Sequence, residues 1–392
     1  MALPNPAARL SRLDAYPLAI LGARVQQLLA RGAPIIRLDI GSPDMPPQPD
    51  VIEMLVDEAR ADDMHGYAGY RGTPAFRRAV AYYYRQRFDV TLDPEREVLP
   101  LLGSKEGIVN LCLAYLDRGD IALVPDVGYP SYSMGTLLAG ADVHWLPVSA
   151  ASGWLPDLEA IPADVLERAK LLWVNYPNNP TGATVELDWY ADAVDFCRAH
   201  SILLASDNPY CDITFDGYRA PSVLQVPGAA DCTVEFNSLS KTMNMAGWRV
   251  GAAVGNATAL KTLLQVKSNV DSGHFLPIYA AATLALEQTP QEWIDDRNRI
   301  YQRRRDLLVT ALPEIGLEGE CPRGSLYVWG RVMDGRSGAE YCTAALEHAH
   351  VALVGGDAYG PGGANYVRIS IGMDDAHFEE ALERLKEWYR RG

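Results

Sequence analysis

Glu235-Phe236-Asn237-Ser238-Leu239-Ser240-Lys241-Thr242-Met243-Asn244-Met245-Ala246-Gly247-Trp248-Arg249-Val250-Gly251 is the stretch that decides how this chain is read. The β-branched and aromatic run 233–236 predicts a short buried strand that stops at Asn237. A hydroxyl cluster follows and presents one lysine, Lys241, with Arg249 eight residues on. No acidic residue lies nearer to Lys241 than Glu235, and its flanks are apolar or hydroxylic. A lysine withdrawn from water loses basicity and becomes a nucleophile able to form a Schiff base. Ser238, Ser240 and Arg249 offer the donors an anionic phosphate needs. A lone Ser-x-x-Lys is more often a surface lysine after a strand end, so the rest of the chain has to decide.

The 392 residues exceed what one hydrophobic core usually serves, so two domains are expected. A net charge of −15 argues against a nucleic-acid partner or an anionic membrane surface. Any bound anion must therefore be caught by a few placed cations against the overall field. The six cysteines show no C-x-x-C spacing and read as buried thiols of a reducing compartment. With no basic-then-apolar leader and no apolar run near membrane-spanning length, a soluble cytoplasmic protein is expected, without a metal site.

Helical spacing of Leu18, Leu21, Val25, Leu28 and Leu29 predicts a helix over 14–31, after an irregular Pro- and Ala-rich start. A strand over 35–40 ends at Gly41, and the prolines between 43 and 49 mark a loop or crossover between domains. Helices are predicted over 50–60 and 73–88, separated by the Gly-punctuated aromatic loop 65–72. From 97 to 255 apolar strands (98–102, 121–124, 143–146, 171–175, 202–206, 233–236, 249–254) alternate with helices (105–116, 132–139, 188–199). That alternation predicts a parallel sheet buried on both faces. A long helical segment over 277–312, interrupted near Thr289-Pro290, leads to a smaller α+β unit with strands over 325–329 and 366–371 and two helices.

Ligands of an open parallel sheet sit at the carboxyl ends of its strands, and the polar residues of this chain fall there. In order come Gly103-Ser104-Lys105 opening a helix, Tyr129 before Pro130, Asn175 to Gly182, Asp207 to Tyr210, and the Lys241 cluster. Helix amides, an aromatic, an amide, a carboxylate with a phenol, and a lysine are thus supplied by five strand ends. The ordered set is more specific than any one motif.

With Asn-Pro-Thr-Gly at 179–182, Asp-x-x-Tyr at 207–210, Ser-x-Ser-Lys at 238–241, Gly-Trp-Arg at 247–249 and Tyr-x-Arg-x-Ser at 366–370, the chain resembles the class I/II aminotransferases. These are pyridoxal-phosphate enzymes of fold type I, and the resemblance runs from Gly41 to Arg368. It implies an α/β fold with a large, mostly parallel sheet sandwiched by helices and a smaller α+β domain. Residues 1–45 would belong to the small domain, 46–285 to the large cofactor-binding domain, and 286–392 to a connecting helix and the small domain. It implies pyridoxal 5'-phosphate as cofactor, with Lys241 as its covalent anchor and proton carrier. Asp207 would face the pyridine nitrogen, Tyr210 and Asn179 the ring oxygen, and Tyr129 the ring face. The phosphate would fall to Gly103, Ser104, Lys105, Ser238 and Arg249, helped by Tyr67 of the other subunit of a homodimer with shared sites. Asn179 and Arg368 would meet the substrate carboxylate, Arg368 as a bidentate clamp, the backbone of Gly41 would meet the substrate where the crossover passes, and Lys105 would meet a distal carboxylate. In place of the family's frequent Val-Pro-Gly, Val354 is followed by Gly355-Gly356, which predicts a looser small-domain loop.

The same cofactor apparatus serves a β-lyase, a decarboxylase or a cyclopropane-carboxylate synthase, and only a requirement for a 2-oxo acid separates them. A nicotinamide dehydrogenase needs Gly-x-Gly-x-x-Gly after an early strand, which is missing here. A regulator built on this fold would need a DNA-binding module, for which the chain has neither room nor charge. The expectation is therefore an aminotransferase moving an amino group between an amino acid and a 2-oxo acid in amino-acid biosynthesis, with glutamate and 2-oxoglutarate as one pair. The runs 237–249 and 267–273 are most similar to the LL-diaminopimelate group, with the alanine and aspartate groups beside it. The carboxylate expected three residues after Tyr67 in the diaminopimelate group is Tyr70 here.

Overall fold

A computed structural model describes residues 3–13 and 16–391. Asp14, where the sequence reading begins the first helix, and Met1 and Ala2 lie outside them. The helix is seen over Pro17–Ala30, with proline at its first position, where the missing N–H costs nothing.

Among the described residues, thirteen strands build three sheets. β1 (Ile36–Arg37) is not part of the central sheet. The central sheet holds β2 (Val98–Leu101), β3 (Ile121–Pro125), β4 (Asp142–Leu146), β5 (Ala169–Val174), β6 (Leu203–Asp207), β7 (Thr233–Ser238) and β8 (Gly251–Gly255), in the order β2-β8-β7-β6-β5-β3-β4. β8 alone runs antiparallel to its neighbours. The remaining strands are β9 (Leu317–Glu318), β10 (Tyr327–Val332), β11 (Val351–Ala352), β12 (Val354–Gly355) and β13 (Tyr366–Ser370). Four of them form an antiparallel sheet in the order β12-β13-β10-β9, while β11 pairs in parallel with β1. The N-terminal segment is thereby tied to the C-terminal part of the chain.

Both faces of the central sheet are covered. Leu172, Val174 and Leu204 pack on one side with Tyr190, Val194 and Cys197 of the helix Leu187–His200. Leu171, Trp173 and Phe236 pack on the other with Ile108 and Leu111 of the helix Ser104–Tyr115. A separate core joins β10 and β13 to Tyr301 and Leu308 of the helix Gln291–Ala311 and to Phe378, Leu382 and Leu385 of the helix Asp375–Arg390.

Three expectations are corrected. The strand placed over 249–254 starts only at Gly251, because Arg249 adopts a left-handed conformation at φ 61° and ends a short turn of 3₁₀ helix. Of the six cysteines, Cys112, Cys197, Cys211 and Cys342 are buried, whereas Cys232 is half-buried and Cys321 exposed. The Gly355-Gly356 pair is packed: a Cβ on Gly356 would run into the carbonyl of Gly363 and the Trp329 ring. Absence of side chains there allows close approach of two backbones rather than slack.

Candidate active site

β6 and β7 end side by side, with Asp207 opposite Phe236, and deliver Asp207 and the Lys241 helix to one edge of the sheet. β5 brings Asn175 to the same edge, and the loop after β2 brings Ser104 and Lys105. They line a cavity of about 350 Å³ together with Gly41, Tyr129, Asn179, Tyr210, Ser238, Arg249 and Arg368. Of the residues singled out from sequence, only Gly103 and Tyr67 are missing from this lining. Gly103 sits directly behind it, and a Cβ there would strike the Arg249 guanidinium. Tyr67 is 91% exposed, is not part of the cavity lining of its own chain, and forms an isolated β-bridge with Phe275.

Lys241 lies on the four-residue helix Leu239–Thr242. Its ammonium donates to the carbonyl of Gly41, which joins the crossover to the sheet edge. Burial, reinforced by Arg368 and Arg249, lowers its pKa from 10.5 to about 7, against the pull of Asp207. The free amine is therefore well populated at neutral pH. Asp207 accepts from the Tyr132 hydroxyl at 2.7 Å through Oδ2, while its buried Oδ1 has no partner. Burial raises the Asp207 pKa to about 7, and Tyr132 holds it down. Asn175 fixes both neighbours: its amide donates to the Asp207 carbonyl at 2.6 Å, and its oxygen accepts from the Asn179 N–H at 2.8 Å.

Arg368, on β13, is fully buried between the rings of Tyr327 and Tyr359, with its guanidinium carbon 4.2 and 5.1 Å from their centres. It donates to Asn179 Oδ1 at 3.2 Å and to the Asp39 carbonyl at 2.6 Å, and its Nε has no partner. Tyr210 shares a hydroxyl–hydroxyl hydrogen bond of 2.9 Å with Tyr327, whose own hydroxyl reaches Gly41. Arg249 donates to the Ala246 carbonyl and to Ser240 Oγ. Besides Lys241, the lining holds four cations (Arg37, Lys105, Arg249, Arg368) against two carboxylates (Asp39, Asp207), so it is cationic inside a strongly acidic protein.

Several participants escaped the sequence reading. Tyr132 was seen only as the start of a helix, and Asn175 only as a strand end. Tyr327, Arg37 and Asp39 carried no motif. Arg297, buried on the helix Gln291–Ala311, donates to the carbonyls of Lys241, Thr242 and Asp212 and so caps the helix that carries Lys241. Its spacing from Lys241, 56 residues, gives no local signal. Below the Ser104 helix, buried Lys267 pairs with Asp271 at 2.6 Å and with Glu106 at 3.7 Å, which accounts for two residues of the 267–273 motif.

The sequence matches the family described as aminotransferase class I and II over residues 33–385, nine-tenths of the chain. The chain belongs to the class I and II aminotransferases. Members of this family use pyridoxal 5'-phosphate, and this aminotransferase moves an amino group between an amino acid and a 2-oxo acid in amino-acid biosynthesis. It is 46% identical over 380 residues to an LL-diaminopimelate aminotransferase of Moorella thermoacetica, spanning 97% of both chains. Substrate-bound BacF of Bacillus subtilis superposes with a TM-score of 0.94 at 35% identity, over 98% of both chains. A probable N-succinyldiaminopimelate aminotransferase of Thermus thermophilus superposes with a TM-score of 0.88 at 35% identity, over 95% of this chain and 99% of that one.

Proposed function

We propose that this aminotransferase takes LL-diaminopimelate as one partner and 2-oxoglutarate or glutamate as the other, with the cavity at Lys241 as its single reaction site. One observation carries the placement of the reaction: a neutral-leaning buried lysine, a buried carboxylate with one unpaired oxygen, and an arginine held between two tyrosines face the same space. The likeness to diaminopimelate aminotransferases carries the substrate.

The donor set fits the cofactor. The unpaired Oδ1 of Asp207 is an orphaned buried acceptor that suits a protonated pyridine nitrogen, since an unpaired buried carboxylate oxygen is costly. The helix beginning at Ser104 presents free amides to the space where Arg249, Ser238 and Gly103 meet, an arrangement suited to a phosphate. When bound, pyridoxal 5'-phosphate supplies an aldehyde for covalent capture of amines and a ring that withdraws electrons from the substrate α-carbon. Lys241 would anchor it and, once displaced by the amino acid, would accept the proton from that carbon as a neutral amine and return a proton as the ammonium. Asp207, oriented by Tyr132 and Asn175, holds the proton on the ring nitrogen. Tyr210 and Asn179 donate to the ring oxygen, and Tyr129 covers the ring. Arg368 and Asn179 hold the α-carboxylate, the backbone of Gly41 meets the substrate where the crossover passes, and Lys105 holds the distal carboxylate of the 2-oxoglutarate partner.

Residues 1–45 and 286–392 then act as the small domain and 46–285 as the large one. The active form is a homodimer in which Tyr67 completes the phosphate site of its partner. Support for the dimer comes from exposed aromatic side chains at that residue: Tyr67 is bridged to exposed Phe275, on which His65 packs, and exposed Tyr70 follows three residues on. Incubating purified protein with 2-oxoglutarate and a panel of amino donors tests the reading. Glutamate formed fastest from LL-diaminopimelate supports it; turnover that needs no 2-oxo acid would indicate a lyase or decarboxylase instead.

A further inference from the structure

One ion pair in the cavity has no part in the chemistry above. Arg37 ends β1, and Asp39 follows two residues later in the turn at 38–39. Ile36 and Leu38, beside them in sequence, are buried in the core. Arg37 and Asp39 both line the cavity that holds Lys241 and Arg368. The pair is bidentate, with Arg37 Nε and Nη2 each 2.7 Å from one Asp39 oxygen. The side chains are 21% and 6% exposed. Among the described residues Arg37 Nη1 makes no hydrogen bond, and each Asp39 oxygen keeps a lone pair. Withdrawing such a pair from water is costly and adds little stability by itself. The pair is also fixed to the reaction site, because the Asp39 carbonyl accepts from Arg368 and the Gly41 carbonyl two residues on accepts from Lys241.

The other charges of the cavity already have anions or a proton to serve. The phosphate takes Arg249, the α-carboxylate takes Arg368, and Lys105, whose ammonium lies 4.0 Å from the centre of the Tyr16 ring, serves a distal carboxylate. What is left over is one donor edge and one acceptor edge side by side with no net charge. The chemical group complementary to that is a zwitterion, an ammonium and a carboxylate on one carbon. We infer that Arg37 and Asp39 form a specificity site for the far amino-carboxylate end of the donor, its carboxylate on Arg37 Nη1 and its ammonium on Asp39. The inference rests on the diaminopimelate reading and deepens it, since among common amino acids only a doubly amino-acidic donor carries such a far end. It further selects the free donor over one whose distal nitrogen is acylated, because an amide nitrogen has no charge for Asp39.

Four amino donors dissect the site when assayed with 2-oxoglutarate, as substrates or, where turnover is slow, as competitive inhibitors. Diaminopimelate has both distal charges, 2-aminopimelate only the carboxylate, lysine only the ammonium, and alanine neither. Arg37→Gln is expected to raise KM or Ki for diaminopimelate and 2-aminopimelate by about ten- to a hundredfold, the worth of a charged hydrogen bond. Lysine and alanine should be unchanged, as should kcat. Asp39→Asn should raise KM for diaminopimelate and lysine and spare 2-aminopimelate and alanine. Thermal unfolding midpoints within a few degrees of wild type would show that both variants fold. Equal losses for all four donors, or none for any, in a wild-type background that prefers diaminopimelate would overturn the Arg37–Asp39 site alone. Wild-type enzyme that ignored diaminopimelate while turning over alanine would overturn the substrate reading and this site with it.

Discussion

Replacing Arg297 by methionine removes a cation that touches neither cofactor nor substrate, and the structure gives the size of the loss. The guanidinium is buried, lies 5.3 Å from the centre of the Trp293 ring, and donates to Thr242 at 2.6 Å, Asp212 at 2.5 Å, Lys241 at 3.2 Å and the Asn298 side chain at 3.1 Å. Asp212 keeps the Asn298 amide at 2.9 Å in its place. The carbonyls of Lys241 and Thr242 end a four-residue helix and lose their donor. Two buried unsatisfied carbonyls cost ~1–3 kcal/mol each. The relieved desolvation of the charge offsets part of that, leaving a net loss of about 2–4 kcal/mol. Urea unfolding of the apoenzyme at fixed protein concentration reads it, and the rate at which apoenzyme regains cofactor reports whether Lys241 is still held. A midpoint shift worth less than about 1 kcal/mol, together with an unchanged rate of cofactor recovery, would refute the capping role.

Three further outcomes are expected. The rate at which apoenzyme recaptures pyridoxal 5'-phosphate should rise with pH and level off above about 7, where buried Lys241 becomes the neutral amine; a rate still climbing towards the ordinary lysine value of 10.5 would contradict the lowered pKa. The same shift means that the unfolded chain binds the extra proton between about 7 and 10.5, so this group adds to folding stability as pH rises through that window. Lys105→Ser should weaken glutamate and 2-oxoglutarate by ~1.5–3 kcal/mol and spare alanine and pyruvate; equal losses, read from KM, would assign Lys105 to the phosphate instead. Mixed dimers of Tyr67→Phe and Lys241→Ala chains should regain activity, since each hybrid holds one site with both defects and one with neither; no gain after proven subunit exchange would argue against the shared site.

The α/β order of the chain was legible because its strands are short apolar runs with glycine or polar residues at their carboxyl ends, and those ends are where the cavity forms. Lys241, Asp207, Asn179 and Arg368 meet there although they span 189 positions between Asn179 and Arg368. The helix Ala257–Lys267 went unread although Asn256 caps it and Ala259, Leu260 and Leu263 face the core at helical spacing. Arg249 was drawn into a strand by its apolar neighbours, because a left-handed arginine has no sequence signature of its own. Arg297, Tyr132 and the Arg37–Asp39 pair stayed hidden for one reason. Each acts through partners brought close only by the fold: Tyr132 and Asp207 are 75 residues apart, and Arg37 and Asp39 gain meaning only from the cavity they face.

Borohydride reduction of the holoenzyme followed by peptide mapping tests the central claim most directly, because it fixes the reacting amine by covalent mass. The account predicts one pyridoxyl group per chain, on Lys241, with loss of the visible absorbance and of transamination together. A pyridoxyl group on Lys105 or Lys267, or full reduction that left the enzyme active, would contradict it.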